Sequence, residues 1–158
     1  MTRIHWSILL LVTVLLQRTF LGHLVAINDV APDMLLVALA FYALRFGRID
    51  GVIAGFLCGL LFDSLGTGIF GLSALTKSIA GFAFGSFTLK ILQKHIWNFP
   101  LLIAVTVLLH DVIYQYVARF VEDVDLLTMI FRHTLPATVY TVLVGELVYL
   151  VVIRRTKG

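Results

Sequence analysis

Apolar runs separated by short polar stretches make up almost the whole chain. A helix needs about 20 mainly apolar residues to cross the hydrocarbon core of a bilayer. Six apolar runs follow one another, over residues 4–27, 34–46, 49–65, 72–92, 99–120 and 135–153. This pattern predicts an all-α, polytopic membrane protein with six transmembrane helices.

The first two runs differ from the rest. The first has the position of a signal peptide, but it is long, carries Arg18 and has no small-residue cleavage motif, so we expect a retained helix. The second run, 34–46, covers only about 20 Å at 1.5 Å per residue, against a hydrocarbon core of about 30 Å. We therefore expect this helix to use flanking residues, to tilt little or to end inside the protein.

The composition agrees with a membrane protein. Of 158 residues, 60% are hydrophobic and only 13% are charged, and the mean hydropathy is +1.02. Six helices use roughly 120 positions and leave about 38 for connections, so residues 1–158 are predicted to form a single integral membrane domain. The isoelectric point of about 9.2 does not indicate nucleic acid as a partner, because the basic residues gather at predicted membrane boundaries.

The basic residues also predict the orientation in the membrane. If the N-terminus is cytoplasmic, the cytoplasmic side carries Arg3, Arg45, Arg48, Lys90, Lys94, Arg154, Arg155 and Lys157. The opposite side then carries only Arg119 and Arg132. Because lysine and arginine are enriched in the short cytoplasmic loops of membrane proteins, we expect both termini in the cytoplasm.

The sequence contains few features that indicate chemistry. A Gly-x-Ser-x-Gly motif, a His-Glu-x-x-His motif and a Walker A loop do not occur. Cys58 is the only cysteine and lies among apolar and small residues, so neither a disulfide nor a thiol centre is indicated. The sequence predicts a protein that is not an enzyme and that has no catalytic residues, cofactor or metal site.

Small residues repeat at four-residue spacing on the third and fourth predicted helices. The rows are Gly51, Gly55 and Gly59, continued by Asp63, and Lys77, Gly81 and Gly85. Because small side chains let helix backbones approach closely in a membrane, the rows predict tight helix packing. Two interpretations stay open, namely packing of helix three on helix four, or a docking face for the transmembrane helix of another protein.

Five ionisable residues fall at membrane depth, and they are Arg18, Lys77, His110, Asp111 and Glu146. An unpaired charge there costs on the order of 3 kcal/mol, so we expect these side chains to face the bundle interior and to find partners. By depth, Arg18 and Lys77 are close enough to reach Asp63, whereas Asp111 and Glu146 lie near the middle of the membrane. The set is interpreted as a buried polar network that fixes helix order, or alternatively as a proton or substrate path.

A longer combination of residues resembles a known family. Pro32 and Asp33 precede the second run, the glycine row ending at Asp63 follows, and Gly68-x-x-Gly71-Leu72-Ser73-Ala74-Leu75 comes next. This ordered combination, over about residues 32–85, resembles the rod shape-determining protein MreD family. The positions that carry the resemblance are Pro32, Asp33, Gly51, Gly55, Gly59, Asp63 and Gly71.

The resemblance implies a non-enzymatic component of the bacterial inner membrane that works in cell elongation. Its implied partners are the bitopic protein MreC and, indirectly, the actin-like MreB, RodA and a class B penicillin-binding transpeptidase, together with membrane lipid. The resemblance also implies the six-helix fold of the substrate-binding subunits of energy-coupling-factor vitamin transporters. Such a subunit is the alternative function, because short, glycine-interrupted helices also suit a transporter. The loop over 66–71 is short for a lid over a ligand, which favours the role in cell elongation.

Overall fold

A computed structural model describes residues 3–17, 32–66, 69–87, 98–122 and 134–156, with side chains described as far as 117 and 150 in the last two ranges. Within these residues all regular structure is helical. The six helices are α1 (Arg3–Leu16), α2 (Met34–Phe46), α3 (Arg48–Ser64), α4 (Leu72–Gly85), α5 (Asn98–Glu122) and α6 (Leu135–Thr156). The all-α prediction is confirmed for this part of the chain.

The helix bounds follow the predicted apolar runs, with one clear difference. α2 has the predicted bounds, and α3 begins and ends one residue before its predicted run. The predicted end of the fourth helix at Leu92 is wrong, because α4 ends at Gly85. The Ser86 N–H and Oγ both donate to the Phe82 carbonyl there and close the last turn. The second half of the first run, 18–27, lies outside the described residues.

α2 is the central helix of the bundle. It contacts each of the other five helices. Side chains on all of its sides are buried, including Leu35, Leu39 and Ala43. A helix that is apolar around its whole circumference is typical of an enclosed position. The short second run therefore belongs to an interior helix.

Two carboxylates fix the beginnings of α2 and α4. Asp33 is the N-cap of α2, and its Oδ1 accepts a hydrogen bond from the Leu36 N–H at 3.0 Å. Asp63, near the end of α3, accepts at Oδ2 from the Gly71 and Ser73 N–H groups at 2.9 and 3.0 Å. The first N–H groups of a helix have no partner within the helix, and they favour a negatively charged acceptor. Asp63 therefore ties the end of α3 to the beginning of α4.

α3 and α4 pack with their backbones in contact along the two glycine rows. A Cβ atom built on Gly59 would lie 2.5 Å from the Ala74 Cα, and one built on Gly85 would lie 2.6 Å from the Arg48 Cα. A Cβ atom on Gly55 would overlap the carbonyl oxygen of Lys77. These distances leave no room for a side chain, so the helix pair requires glycine at the contact.

Large apolar side chains lie on the outside of the bundle as well as in its core. Large apolar side chains are exposed on every helix except α2, for example Ile8, Leu57 and Leu109. Charged and hydroxyl side chains such as Lys77 and Thr141 are buried between the helices. Polar groups that lie at membrane depth face the bundle interior, whereas apolar groups face lipid. The outer surface therefore suits a hydrocarbon environment.

Helix length and hydropathy support fewer membrane-spanning helices than the six that the sequence predicts. Within the described residues, Asn98–Val117 in α5 is long and apolar enough to cross a membrane. Three further helical segments are apolar but shorter, over Arg3–Leu16, Met34–Phe46 and Leu135–Leu150. One spanning helix is supported by length and composition, and six spans stay a prediction.

Candidate functional site

A buried ion pair joins α2 and α4. Lys77, on α4, is 2% exposed, and its Nζ lies 3.2 Å from Asp33 Oδ2 at the N-terminus of α2. The centre of the Phe62 ring lies 4.9 Å from the same Nζ, close enough for a cation–π interaction. A charged group removed from water needs an opposite charge and hydrogen-bond partners. Asp33 is therefore the counterion of Lys77.

His110 and Asp111 extend this ion pair to α5. The Nε2 of His110 lies 3.4 Å from Lys77 Nζ, and its Nδ1 lies 2.9 Å from Asp111 Oδ1. An ammonium group can only donate, so we assign Nε2 as the acceptor and place the ring proton on Nδ1, which donates it to Asp111. His110 is then a neutral imidazole. Two carboxylates and one ammonium give these four side chains a net charge of −1.

Two uncharged side chains connect the network to α1 and α6. Gln17, directly after α1, donates from Nε2 to Asp33 Oδ1 at 3.2 Å and accepts from the Leu35 N–H at 2.8 Å. The Thr141 hydroxyl, on α6, accepts from the Asp33 N–H at 3.0 Å. The network consequently joins α1, α2, α4, α5 and α6 at the end of the bundle where α2 and α4 begin.

These side chains line a cavity of about 280 Å³. Its polar lining includes Gln17, Asp33, Lys77, His110, Asp111 and Gln115. The aromatic rings of Phe62 and Tyr114 also line it. A water molecule takes up about 30 Å³ in the liquid, so the cavity has room for a small polar molecule.

The structure brings three of the five predicted membrane-depth residues together. Lys77, His110 and Asp111 share the cavity. Glu146, on α6, is not part of the lining, and its Oε2 is buried without a hydrogen-bond partner among the described residues. Arg18 lies outside the described residues.

The acid that pairs with Lys77 is not Asp63, which its depth placed within reach. Asp63 caps α4, and Lys77 forms its ion pair with Asp33 instead. Counting depth along the predicted helices does not include Asp33, because this residue lies in the turn before the second apolar run. An aspartate immediately before an apolar run is a helix-start signal, and this signal would have placed a carboxylate at the beginning of α2.

The glycine rows do not form an exposed face. Gly51, Gly55, Gly59 and Gly81 are buried, and all of them contact the facing helix of the α3–α4 pair. The fifth glycine, Gly85, approaches the backbone at the beginning of α3. Docking of another protein's helix on these rows does not fit this geometry, because α3 and α4 already occupy each other's glycine face.

The turn between α3 and α4 has the spacing Gly-x-Gly-x-x-Gly over residues 66–71. In a dinucleotide-binding fold this spacing follows a β-strand and opens a helix that receives the pyrophosphate. Here it follows a helix, and the Asp63 carboxylate already accepts from the first N–H groups of α4. The turn therefore lacks the structural context of a nucleotide site.

Exposed apolar side chains and buried charged groups that are paired with one another are typical of an integral membrane helix bundle. A comparison with known protein families matches residues 1–154 to the rod shape-determining protein MreD. The chain belongs to the MreD family, a family of membrane-associated, shape-determining proteins that are not known as enzymes. Comparison with curated proteins and with solved structures gave no match, so the likeness to energy-coupling-factor subunits stays a prediction.

Proposed function

We propose that this protein acts in rod-shape determination as a non-enzymatic, multi-pass protein of the bacterial inner membrane that binds MreC. Both termini lie in the cytoplasm. Through MreC, the protein helps to couple the MreB cytoskeleton to peptidoglycan synthesis by RodA and a class B penicillin-binding transpeptidase. The family match over residues 1–154 carries the proposal. The apolar exterior supports the membrane placement, and the basic residues of the sequence support the orientation.

An apolar groove between α1 and α3 offers a docking surface for a transmembrane helix. The groove has a volume of about 470 Å³, and its lining on α3 runs from Asp50 to Leu61. At 1.5 Å per residue this is about 16 Å of helix, or three turns. Ile53, Leu57 and Leu61 follow one another at four-residue spacing and are exposed along it. A partner helix in the groove would cover apolar side chains that otherwise contact lipid.

The family match supports the single transmembrane helix of MreC as the occupant of the groove. Asp50 lies at the end of the groove where α3 begins, and its Oδ2 is 3.5 Å from an Arg3 guanidinium nitrogen. The orientation proposed above makes this the cytoplasmic end. Asp50 is already paired with Arg3, so we expect the occupant to contact the groove through apolar side chains.

Substituting Leu57→Trp tests the groove. Leu57 is 53% exposed within it, so a larger apolar side chain should fill the groove and leave insertion into the membrane unchanged. We expect recovery of MreC with the tagged protein from mild detergent to fall about tenfold, which corresponds to 1.4 kcal/mol of lost contact.

The matched control is Leu143→Trp, at a 63% exposed position on α6 outside the groove, which should leave MreC recovery unchanged. Equal recovery with both variants would reject the groove. Failure of the unaltered protein to recover MreC would reject the proposed binding altogether.

A further inference from the structure

The cavity contains a carboxylate that no described cation neutralises. Asp111 accepts from the neutral His110 ring, and its side chain is 19% exposed. The nearest cation in the network, Lys77, is already paired with Asp33 and directs a second hydrogen atom to His110 Nε2. An ionised carboxylate removed from water needs an opposite charge to offset its lost hydration. The cavity therefore has room and charge for one further cation.

Gln115 adds a second acceptor to the same face of α5. It lies four residues after Asp111, so the two side chains are neighbours one turn apart. The Gln115 Nε2 donates to the Thr134 hydroxyl on α6, which orients the amide. Its Oε1 is buried and has no hydrogen-bond partner among the described residues. A buried acceptor without a donor costs about 1–3 kcal/mol, so a ligand that supplies an N–H group would stabilise this site.

Aromatic rings complete the lining. Tyr114 stacks on His110 with ring centres 6.3 Å apart, and Phe62 borders the cavity from α3. Aromatic faces and carboxylates together are typical of sites that bind organic ammonium groups. Among the described residues there is no group of three or more histidine, cysteine or acidic side chains that could hold a metal ion. The lining therefore favours an organic cation.

We propose that this cavity binds a primary ammonium group, with Asp111 as the main acceptor and Gln115 as the second. A small free amine and the ethanolamine headgroup of a phospholipid carry the same group, and either source fits the cavity of about 280 Å³. One positive charge balances the net charge of −1 that the described lining carries. The site is separate from the α1–α3 groove, so this proposal does not depend on MreC binding.

Equilibrium binding of radiolabelled ethanolamine to the purified full-length protein, in a detergent free of amine lipids, tests the free-amine form. We expect saturable binding of ethanolamine. Sodium chloride at the same ionic strength should not displace the bound ethanolamine. Tetramethylammonium has the same charge but no N–H donor, so it should compete at least about tenfold more weakly. This comparison needs no variant and is independent of folding defects.

Variants identify the acceptor. Asp111→Asn should weaken binding about tenfold or more, because a charged hydrogen bond is lost. Glu146→Gln makes the same chemical change at a membrane-depth acid outside the cavity and should leave binding unchanged. Equal weakening by both variants would overturn the assignment to the cavity.

Nanodiscs with equal amounts of phosphatidylethanolamine and phosphatidylglycerol distinguish the lipid source. Native mass spectrometry should show retained phosphatidylethanolamine if the ligand is a headgroup, with loss of the preference in Asp111→Asn. Binding of ethanolamine without lipid retention assigns a free amine. Absence of both from the unaltered protein would overturn the proposal.

Discussion

At the scale of single residues, Lys77 organises the interior of the bundle. It is 2% exposed, and its ammonium contacts Asp33, His110 and the face of Phe62, which belong to α2, α5 and α3. One cation consequently links four helices in a setting where an unpaired charge is costly. We expect such a network to favour one helix arrangement over others, because a different arrangement would separate the charges.

Replacing the lysine should be strongly destabilising. In Lys77→Met the Asp33 carboxylate loses its counterion while it stays largely buried, so the free energy of unfolding should fall by about 3–5 kcal/mol. The double variant Lys77→Met with Asp33→Asn removes both charges and should recover a large part of this loss. Reversible unfolding in mixed detergent micelles measures the unaltered protein, the two single variants Lys77→Met and Asp33→Asn, and the double variant. Additive effects of the two substitutions would contradict the ion pair.

The partners of individual charged side chains were the features that the sequence predicted least completely. Depth along a helix correctly indicated that Lys77, His110 and Asp111 need partners. It could not give the direction in which a side chain points around its helix axis, so it grouped Glu146 with them. It indicated that Lys77 can reach Asp63 but could not identify Asp33 as its partner, because two carboxylates at similar depth can be distinguished only once the neighbouring helices are known.

At the scale of secondary structure elements, α3 and α4 form the most closely packed pair. The glycine contacts bring the two backbones together, and the Asp63 cap fixes the turn between them. The spacing of the glycines predicted close packing from the sequence alone. It could not identify the partner, because a small-residue row is equally suited to a helix of the same chain and to one of another protein.

A matched pair of glycine substitutions tests the packing of α3 on α4. In Gly55→Ala the new methyl group meets the Lys77 backbone, which cannot move independently of α4, so we expect a loss of about 1–3 kcal/mol in stability. In Gly145→Ala the nearest atom is Ile103 Cδ1, the end of a flexible side chain. Both changes gain the same helix propensity, about 1 kcal/mol, so the propensity cancels in the comparison.

Detergent unfolding midpoints of the two variants provide the measurement. Gly55→Ala should unfold at a clearly lower denaturant concentration than Gly145→Ala. Equal midpoints would show that α3 and α4 do not pack on their glycine rows.

The helix bounds show which part of an element the sequence determines. The α2 run is bounded by Asp33 and Gly47, a capping residue and a glycine with φ +95°, and its bounds were predicted correctly. Apolar residues continue past Gly85, so hydropathy placed the end of α4 too late. Hydropathy reports which residues avoid water, whereas the end of a helix depends on local hydrogen bonds such as those of Ser86.

At the scale of the whole molecule, the protein combines an apolar exterior with a mainly apolar core in which a polar network is buried. Composition and the six apolar runs predicted the class, because they report the environment of the chain as a whole. The central position of α2 and the cavity among α1, α2, α4, α5 and α6 were not predictable, since both depend on how the helices are arranged around one another. Membership of the MreD family then connects this bundle to rod-shape determination.

The most direct test of the proposed function is affinity purification of the tagged protein from its native membrane in mild detergent, followed by mass spectrometry of the co-purifying proteins and small molecules. We expect MreC as the main partner, with RodA and a class B penicillin-binding transpeptidase in smaller amounts. Recovery of a bound vitamin with transporter ATPase subunits, and no MreC, would contradict the proposed function and support the alternative transporter role.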